Sequence, residues 1–256
     1  MHGRFLFLGT GGSMGVPVVG CSCPVCLSES VKNKRLRSSG LLEVDDKRLL
    51  IDCGPDFRQQ ALSHRIHQID GCLITHLHHD HTASIDELRC YTMKEKHPLP
   101  CVLSKETADD LKRRFDYIFR GDEARLVSKV QLQELEEERG SLSLRGVPLS
   151  YMTFEQAGVK VTGFRMGHFA YLSDIKTYPE TIFEDLAGVR VLVLSALRLT
   201  PSPLHFSVDE AVDFARKAGA KETYLTHISH DLDHEKTNAY LPQDIRMAYD
   251  GLLINF

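Results

Sequence analysis

The sequence predicts an α/β protein whose strands and helices share one large core. A chain of 256 residues with 42% hydrophobic content is long enough to bury such a core, and layered two-sheet architectures of this length commonly form a single domain. Apolar runs typical of strands lie at residues 4–8, 69–75, 101–104 and 189–195. Helices are predicted at residues 57–67, 84–94 and 105–119. We therefore expect one domain over residues 1–256.

Composition and charge limit the partners and the compartment. The formal net charge of −4 argues against an extended nucleic-acid partner, since such a partner usually requires a clustered basic face. No apolar stretch approaches the roughly 20 residues of a membrane-spanning helix, and Met1 leads into the first strand without a signal sequence. We expect a cytoplasmic protein without a membrane partner. A homodimer is compatible with the sequence.

The first strand runs into a glycine-rich segment at residues 9–17. This segment fails the G-x-G-x-x-G spacing of dinucleotide-binding loops, and a tight loop at the rim of a site explains it better. Residues 39–44 and 47–51 then predict a β-hairpin that ends at Asp52. A carboxylate at a strand end can start a simple turn, or it can orient a metal-ligating histidine through the second ring nitrogen.

The densest group of metal-ligand side chains follows the second apolar run. In extended backbone, His76 and His78 face the same side while His79 faces away. Asp80 and His81 follow in a turn that can swing a carboxylate and a third imidazole toward a second metal. This short segment therefore offers ligands for two ions, and His79 is expected to be solvated or to contact a ligand from outside.

Three of the seven cysteines are crowded into six positions, as Cys21, Cys23 and Cys26. An odd number of cysteines does not suit a disulfide framework, whereas thiolates at C-x-C-x-x-C spacing can converge on one ion. A tetrahedral zinc would need a fourth ligand from elsewhere in the chain. The pattern predicts a small zinc-binding loop near residues 20–27.

Two segments of the second half carry structural expectations only. Residues 120–150 are charged, and we expect an irregular, solvated segment to which no function is assigned. Residues 249–252 predict a hairpin that closes the chain.

Further acid and histidine candidates lie at element ends. Strands are predicted at residues 159–166, 168–174 and 221–226. Asp174, at a strand end, can start the next loop or serve as a ligand, and His227 and His230 follow the last of these strands. His205 lies just before a helix whose N-cap is Ser207 and which runs to residue 218.

Several motifs together resemble one family of enzymes. H-x-H-x-D-H at residues 76–81 looks like the motif of the metallo-β-lactamase-fold hydrolases, which are dinuclear metal enzymes. Its combination with G-T-G-G-S-x-G-V-P, the cysteine cluster, G-F-R-x-G-x-x-A-Y-L-S-D and H-F-S-V-D-E-A resembles the PhnP-like phosphodiesterases of that superfamily. The resemblance is weakest between residues 120 and 158. It implies an αββα sandwich in which two mixed sheets pack face to face with helices outside and the site at one sheet edge.

The resemblance assigns ligands to three metal ions. For a dinuclear site of zinc or manganese it implies His76, His78, Asp80, His81, Asp174 and His227, with Asp174 bridging. For a structural zinc it implies Cys21, Cys23, Cys26 and His230. Asp80 and His205 are the predicted catalytic residues, with His205 facing the substrate phosphate. Asp52 is expected to orient a ligating histidine.

One position departs from the family's pattern. Gln156 stands where the family has another histidine ligand, and an amide oxygen is a weaker ligand than an imidazole for zinc-like ions. Gln156 is therefore expected to be a weak ligand or none. His168 is a conceivable substitute, although the family uses that position for no ligand.

The resemblance implies hydrolysis of a small phosphodiester, cyclic ribose phosphates included, by a metal-activated hydroxide. A tRNA 3′-end nuclease shares the histidine motif but would need a basic arm that grasps RNA. A thioester or lactone hydrolase shares the metals, but the cysteine cluster and His205 favour the phosphodiesterase. The remaining alternative is a metal-poor binding protein without turnover, because Gln156 replaces a ligand.

Overall fold

Two seven-stranded β-sheets packed face to face form the centre of the molecule, in a computed structural model that describes residues 3–95, 97–120 and 126–256. The first sheet contains β1 (Gly3–Gly9), β2 (Ser39–Val44), β3 (Lys47–Ile51), β4 (Gly71–Leu73), β5 (Leu99–Ser104) and β6 (Val130–Leu135). The second contains β7 (Arg139–Leu144), β8 (Val147–Gln156), β9 (Val159–Met166), β10 (Phe169–Leu172), β11 (Val191–Ser195), β12 (Glu222–Thr226) and β13 (Ile245–Met247). The C-terminal strand β14 (Leu253–Asn255) returns to the first sheet beside β1.

Most helices cover the outer faces of the two sheets, whereas two short ones, at residues 24–27 and 79–82, lie in the segments that carry candidate metal ligands. The helices are α1 (Pro24–Leu27), α2 (Phe57–Ser63), α3 (His79–Thr82), α4 (Arg89–Glu95), α5 (Lys105–Arg114), α6 (Asp116–Phe119), α7 (Ile182–Asp185), α8 (Val208–Ala218) and α9 (His234–Tyr240). Two 3₁₀ helices lie at Val31–Asn33 and Ile85–Leu88. No helix in the described ranges is long and apolar enough to cross a bilayer.

Three apolar clusters separate the layers. One lies between the sheets and includes Phe5 and Phe164, one lies under the helices of the first sheet and includes Phe57, and one lies under α8 and includes Phe214. Each sheet combines parallel and antiparallel neighbours. This order of layers confirms the predicted αββα sandwich of two mixed sheets.

Helix α8 shows how local sequence fixes an element beside the candidate site. The hydroxyl of Ser207 accepts a hydrogen bond from the Glu210 N–H at 3.3 Å, and the Glu210 carboxylate accepts one from the Ser207 N–H at 2.8 Å. Gly219, with φ of 68°, ends the helix in the left-handed conformation that glycine adopts without steric cost. The predicted helix is therefore confirmed, and His205 lies just before its N-terminus.

Other predicted elements have the predicted type, and their bounds agree with the predictions to different extents. The hairpin of β2 and β3 agrees with its prediction at every boundary. The helix predicted at residues 57–67 ends at Ser63, and the helix predicted at 105–119 breaks at Phe115 into α5 and α6. The run predicted as a strand at 69–75 contributes only β4 to the ladder.

Two predictions are wrong. Residues 130–150 are regular rather than irregular, because they form β6, β7 and the start of β8; residues 121–125 lie outside the described part of the chain. Both β6 and β7 lie at sheet edges, where exposed positions tolerate charge. The turn at residues 249–252 closes no hairpin, because β13 pairs with β12 in one sheet and β14 pairs with β1 in the other.

Candidate active site

The candidate site lies where strands of both sheets end. Strands β3 and β4 run parallel in the first sheet, as do β10, β11 and β12 in the second. Ligands of open α/β sheets commonly bind outside the carboxyl ends of such strands. Asp52 follows β3, His227 follows β12, and Asp174 lies two residues beyond β10. The segment at residues 76–81, which contains four histidines, leads from β4 into α3. Residues far apart in sequence thus reach one sheet edge.

Three of these residues have left-handed backbone. The φ angles are 62° at Asp52, 57° at Asp174 and 57° at His227. For residues other than glycine this conformation costs on the order of 1–3 kcal/mol each and persists where the surrounding structure imposes it, often at functional sites. The chain therefore turns sharply at each of these three residues.

The rings of His76 and His78 contact each other through their nitrogens. Nε2 of His76 lies 2.8 Å from Nδ1 of His78, and the hydroxyl of Thr75 lies 3.0 Å from Nδ1 of His76. Burial lowers the pKa of His76 well below its ordinary value. The ring is therefore neutral at pH 7, as a metal-ligating imidazole must be.

Asp52 holds His81 in one orientation. Its buried carboxylate accepts hydrogen bonds from Nδ1 of His81 at 2.7 Å, from the N–H of Thr75 at 2.8 Å and from the hydroxyl of Thr75 at 2.9 Å. Nε2 of His81 consequently faces Asp80 and Asp174, and it lies 3.3 Å from a carboxylate oxygen of each. A carboxylate behind a ligating histidine fixes the ring and selects the nitrogen that faces the metal.

His227 reaches the same cluster from the second sheet. Its Nε2 lies 3.2 Å from Oδ1 of Asp174 and 3.4 Å from Oδ2 of Asp80. Burial alone would raise the pKa values of these two carboxyl groups, but the imidazoles of His81 and His227 outweigh it and hold both well below the usual range. Both groups are therefore ionised at neutral pH.

The donor set fits a pair of divalent cations. Three groups of ligand atoms lie mutually within 4.8 Å: His76, His81 and Asp174; Asp80, His81 and His227; and Asp174, His205 and His227. Nε2 of His81 is buried and has no hydrogen-bond partner in the part of the chain that is described. Nitrogen and oxygen ligands at 2.0–2.2 Å from a tetrahedral cation lie about 3.4 Å apart, which agrees with the separations around Asp174.

Gln156 contacts His205. The amide nitrogen of Gln156 lies 2.9 Å from Nε2 of His205, and both side chains are buried. Nδ1 of His205 lies 3.4 Å from Oδ1 of Asp174. Burial lowers the pKa of His205 to about 4, so its ring is neutral at pH 7. His168, the conceivable substitute ligand, is exposed and lies beside the carbonyl of Gly188.

The cysteine cluster forms a second candidate metal site. The sulfur atoms of Cys21, Cys23 and Cys26 lie 3.3, 3.5 and 3.5 Å from Nδ1 of His230. In a tetrahedral zinc site with Zn–S of about 2.3 Å and Zn–N of about 2.0 Å, sulfur and nitrogen ligands lie about 3.5 Å apart. These four residues therefore fit one zinc ion, and α1 begins within the cluster.

Sequence reasoning missed two hydroxyl groups that support the cluster. Thr75 contacts both Asp52 and His76, and the hydroxyl of Ser173 donates to Oδ2 of Asp174 at 2.6 Å. Each hydroxyl residue directly precedes a predicted ligand, and this adjacency was the available signal. His79 is exposed, as expected.

Comparison with known proteins agrees with this fold and site. Residues 47–228 match the family model described as β-lactamase superfamily domain. A crystal structure of a diphosphatase from the PhnP family superimposes with a TM-score of 0.93 at 38% sequence identity, covering 100% of this chain and 98% of that one. The chain thus belongs to the β-lactamase superfamily of metal-dependent hydrolases. Its likeness to the diphosphatase confirms the resemblance to PhnP.

More distant matches show the fold alone or cover part of the relative. Zn²⁺-bound PqqB from Methylobacterium extorquens has a TM-score of 0.76 at 20% identity, with 99% of both chains covered. The short form of human tRNase Z has a TM-score of 0.71 at 19% identity, with 98% of both covered. An octanoyltransferase from Porphyromonas gingivalis is 34% identical over 252 residues, which are 97% of this chain but 51% of that protein. The chain thus spans about half the length of this relative.

Proposed function

We propose that the chain hydrolyses a small phosphodiester, cyclic ribose phosphates included, with two divalent metal ions at the sheet edge. The position of Asp174 is the observation that supports this most. Its carboxylate belongs to one group of ligand atoms with His76 and to another with His227, each group lying within 4.8 Å. A carboxylate placed in this way could serve as a ligand in both halves of a two-metal site.

Two sets of side chains would hold these ions. The first set is His76, His78 and Asp174, with Gln156 as a weak ligand or none. His78 contacts His76 at 2.8 Å but belongs to none of the groups of ligand atoms within 4.8 Å that the described residues form. The second set is Asp80, His81, His227 and Asp174. When bound, the ions would supply Lewis acidity that activates water near neutral pH and offsets negative charge on the phosphoryl oxygens. A third ion, a structural zinc, would link the cysteine loop to the turn between His227 and His230.

The protein's own groups orient the ligands and stabilise developing charge. Asp52 keeps Nε2 of His81 directed into the cluster. Asp80 places an ionised carboxylate between His81 and His227. His205 lines a cavity of about 240 Å³ beside the cluster and can donate a hydrogen bond to a phosphoryl or leaving oxygen. Removing one such donor typically lowers kcat by about 10²–10³-fold.

The PhnP-family diphosphatase favours a second candidate, hydrolysis of a diphosphate. In both reactions water attacks a phosphorus atom that carries an oxygen leaving group, which is an alcohol oxygen in a phosphodiester and a phosphate oxygen in a diphosphate. The same arrangement of carboxylates, imidazoles and cations can serve either substrate. The leaving group must therefore be identified by assay.

A substrate panel separates these candidates. Protein loaded with zinc or manganese is assayed on bis(p-nitrophenyl) phosphate, a cyclic ribose phosphate, a dinucleoside diphosphate, short RNA and an octanoyl thioester. We expect phosphodiester turnover that Asp174→Ala abolishes, because both sets lose a shared ligand. His168→Ala, which changes an exposed histidine, should retain it.

Each other result of the substrate panel would indicate a different function. Turnover of the dinucleoside diphosphate alone would support the second candidate. Turnover confined to RNA or to the thioester would contradict both. Absence of turnover, with fewer than one ion per chain outside the cysteine cluster, would identify a metal-poor binding protein.

A further inference from the structure

Gln156 and His205 form a buried polar contact beside the metal-ligand cluster. Their side-chain nitrogens are 2.9 Å apart, and only 5% and 8% of the two residues is exposed. They lie 49 positions apart in the sequence. The contact therefore exists only because the end of β8 and the segment before α8 meet in the fold.

The groups around His205 select one form of its ring. An amide nitrogen carries two protons and no acceptor, so the Nε2 that it faces must be unprotonated. The proton of a neutral imidazole then lies on Nδ1. Nδ1 faces Oδ1 of Asp174 at 3.4 Å, and a carboxylate oxygen also favours an N–H at that position. Both sides of the ring thus favour the same tautomer.

This tautomer places a buried N–H beside the carboxylate of Asp174. Within residues 3–95, 97–120 and 126–256, Nδ1 of His205 has no hydrogen-bond partner. A buried donor without an acceptor costs on the order of 1–3 kcal/mol. Other atoms of His205 line the cavity of about 240 Å³, so the ring lies beside both this cavity and Asp174.

We propose that Gln156 is a positioning residue that fixes the ring of His205 with its Nδ1–H toward Asp174, and that it does not act as a metal ligand. The catalytic role given to this N–H depends on the proposed phosphoryl hydrolysis, whereas the assignment of the tautomer does not. A His205 that ligated an ion through Nδ1 would carry its proton on Nε2, against the amide N–H of Gln156. The sequence predicts that Gln156 is a weak ligand or none, and it does not predict this positioning role.

A double-mutant cycle tests whether Gln156 acts through His205. Gln156→Met removes the amide and keeps a similar side-chain length. We expect kcat on bis(p-nitrophenyl) phosphate to fall about 10–100-fold, which is part of the 10²–10⁴-fold typical of positioned acid–base groups, with KM changed less than about threefold. In a His205→Ala background, the same substitution should cost less than about twofold, because the residue that it positions is gone.

Gln60→Met is the matched control. Gln60 is also a buried glutamine, and its amide nitrogen donates to the carbonyl of Arg37 at 2.9 Å, outside the cluster. We expect this variant to be destabilised to a similar extent and to keep the kcat of the wild type. Equal losses of kcat in Gln60→Met and Gln156→Met would assign a structural role to both and overturn the proposal.

The tautomer is measured without turnover. Two-bond ¹H–¹⁵N correlation spectra of the zinc-loaded protein with labelled histidine report which ring nitrogen carries the proton, and the signal missing from His205→Ala identifies this ring. We expect the Nδ1–H form in the wild type and in Gln60→Met, and a shift toward Nε2–H in Gln156→Met. An Nε2–H form or a zinc-bound Nδ1 in the wild type would overturn the proposal, as would additive losses in the cycle. Absent turnover with the expected spectra would refute the proposed function while supporting the positioning of His205.

Discussion

Replacing Asp52 with asparagine should damage the candidate metal centre while nearly preserving the shape of the side chain. Oδ1 of Asp52 accepts from the N–H of Thr75 at 2.8 Å, and Oδ2 accepts from Nδ1 of His81 at 2.7 Å. Asparagine offers one oxygen acceptor and one NH₂ donor. If its oxygen faces Thr75, its NH₂ faces His81 and moves the ring proton to Nε2, the nitrogen that faces the cluster. If its NH₂ faces Thr75, two buried donors oppose each other.

Two magnitudes follow from these contacts. Loss of the group that orients a ligating histidine typically lowers metal affinity about 10–100-fold. A buried donor left unsatisfied costs about 1–3 kcal/mol, and in a chain of this size each kcal/mol lowers Tm by about 2–4 °C. Competition with a chelator measures the affinity for the active-site ions, and calorimetry of the metal-free protein measures Tm.

An exposed aspartate provides the control for this substitution. Asp46 pairs with Lys47, and 80% of its side chain is exposed. Asp46→Asn should therefore leave both the metal affinity and Tm close to those of the wild type. The reasoning is refuted if Asp52→Asn also keeps the wild-type affinity for both ions and the wild-type Tm.

The cysteine cluster and a buried carboxyl group give two further predictions. His230→Ala leaves three thiols, so metal analysis should find one zinc fewer per chain and calorimetry a lower Tm; an unchanged count would show that this cluster holds no zinc. Burial raises the pKa of Asp250 from 3.8 to about 6, so the folded state binds this proton more tightly than the unfolded chain, and the free energy of unfolding should fall by up to about 3 kcal/mol as pH rises from about 4 to 6. Asp250→Asn should remove this contribution, and equal pH slopes of wild type and variant in denaturant unfolding of metal-free protein would contradict it.

Elements set by neighbouring residues are predictable from the sequence. The hairpin of β2 and β3 and the capped start of α8 depend on patterns within a few residues, and the structure confirms both. In β6 the apolar residues are only half-buried, and polar residues such as Gln131 and Glu134 occupy exposed positions. Because such edge strands are rich in charged and polar residues, composition alone does not predict their regular structure.

The contacts that orient the side chains of the candidate site join residues that are distant in the sequence. The motif at residues 76–81 predicts a metal-ligand cluster because its side chains are close in sequence. The left-handed backbone of Asp174 and His227 carries no such local signal, since neither residue is a glycine. The contact between Gln156 and His205 likewise requires the second sheet to be assembled. The sequence therefore indicates which residues lie together in the candidate site, whereas the orientation of their side chains follows from the tertiary structure.

Anomalous diffraction from crystals of the zinc-loaded protein tests the central claim most directly. That claim is that residues from both sheets hold two ions through a shared Asp174. The account predicts two peaks about 3.5–4 Å apart, both in contact with Asp174, and a third peak among the cysteines and His230. A single peak at the sheet edge, or peaks that contact neither Asp174 nor His227, would contradict it.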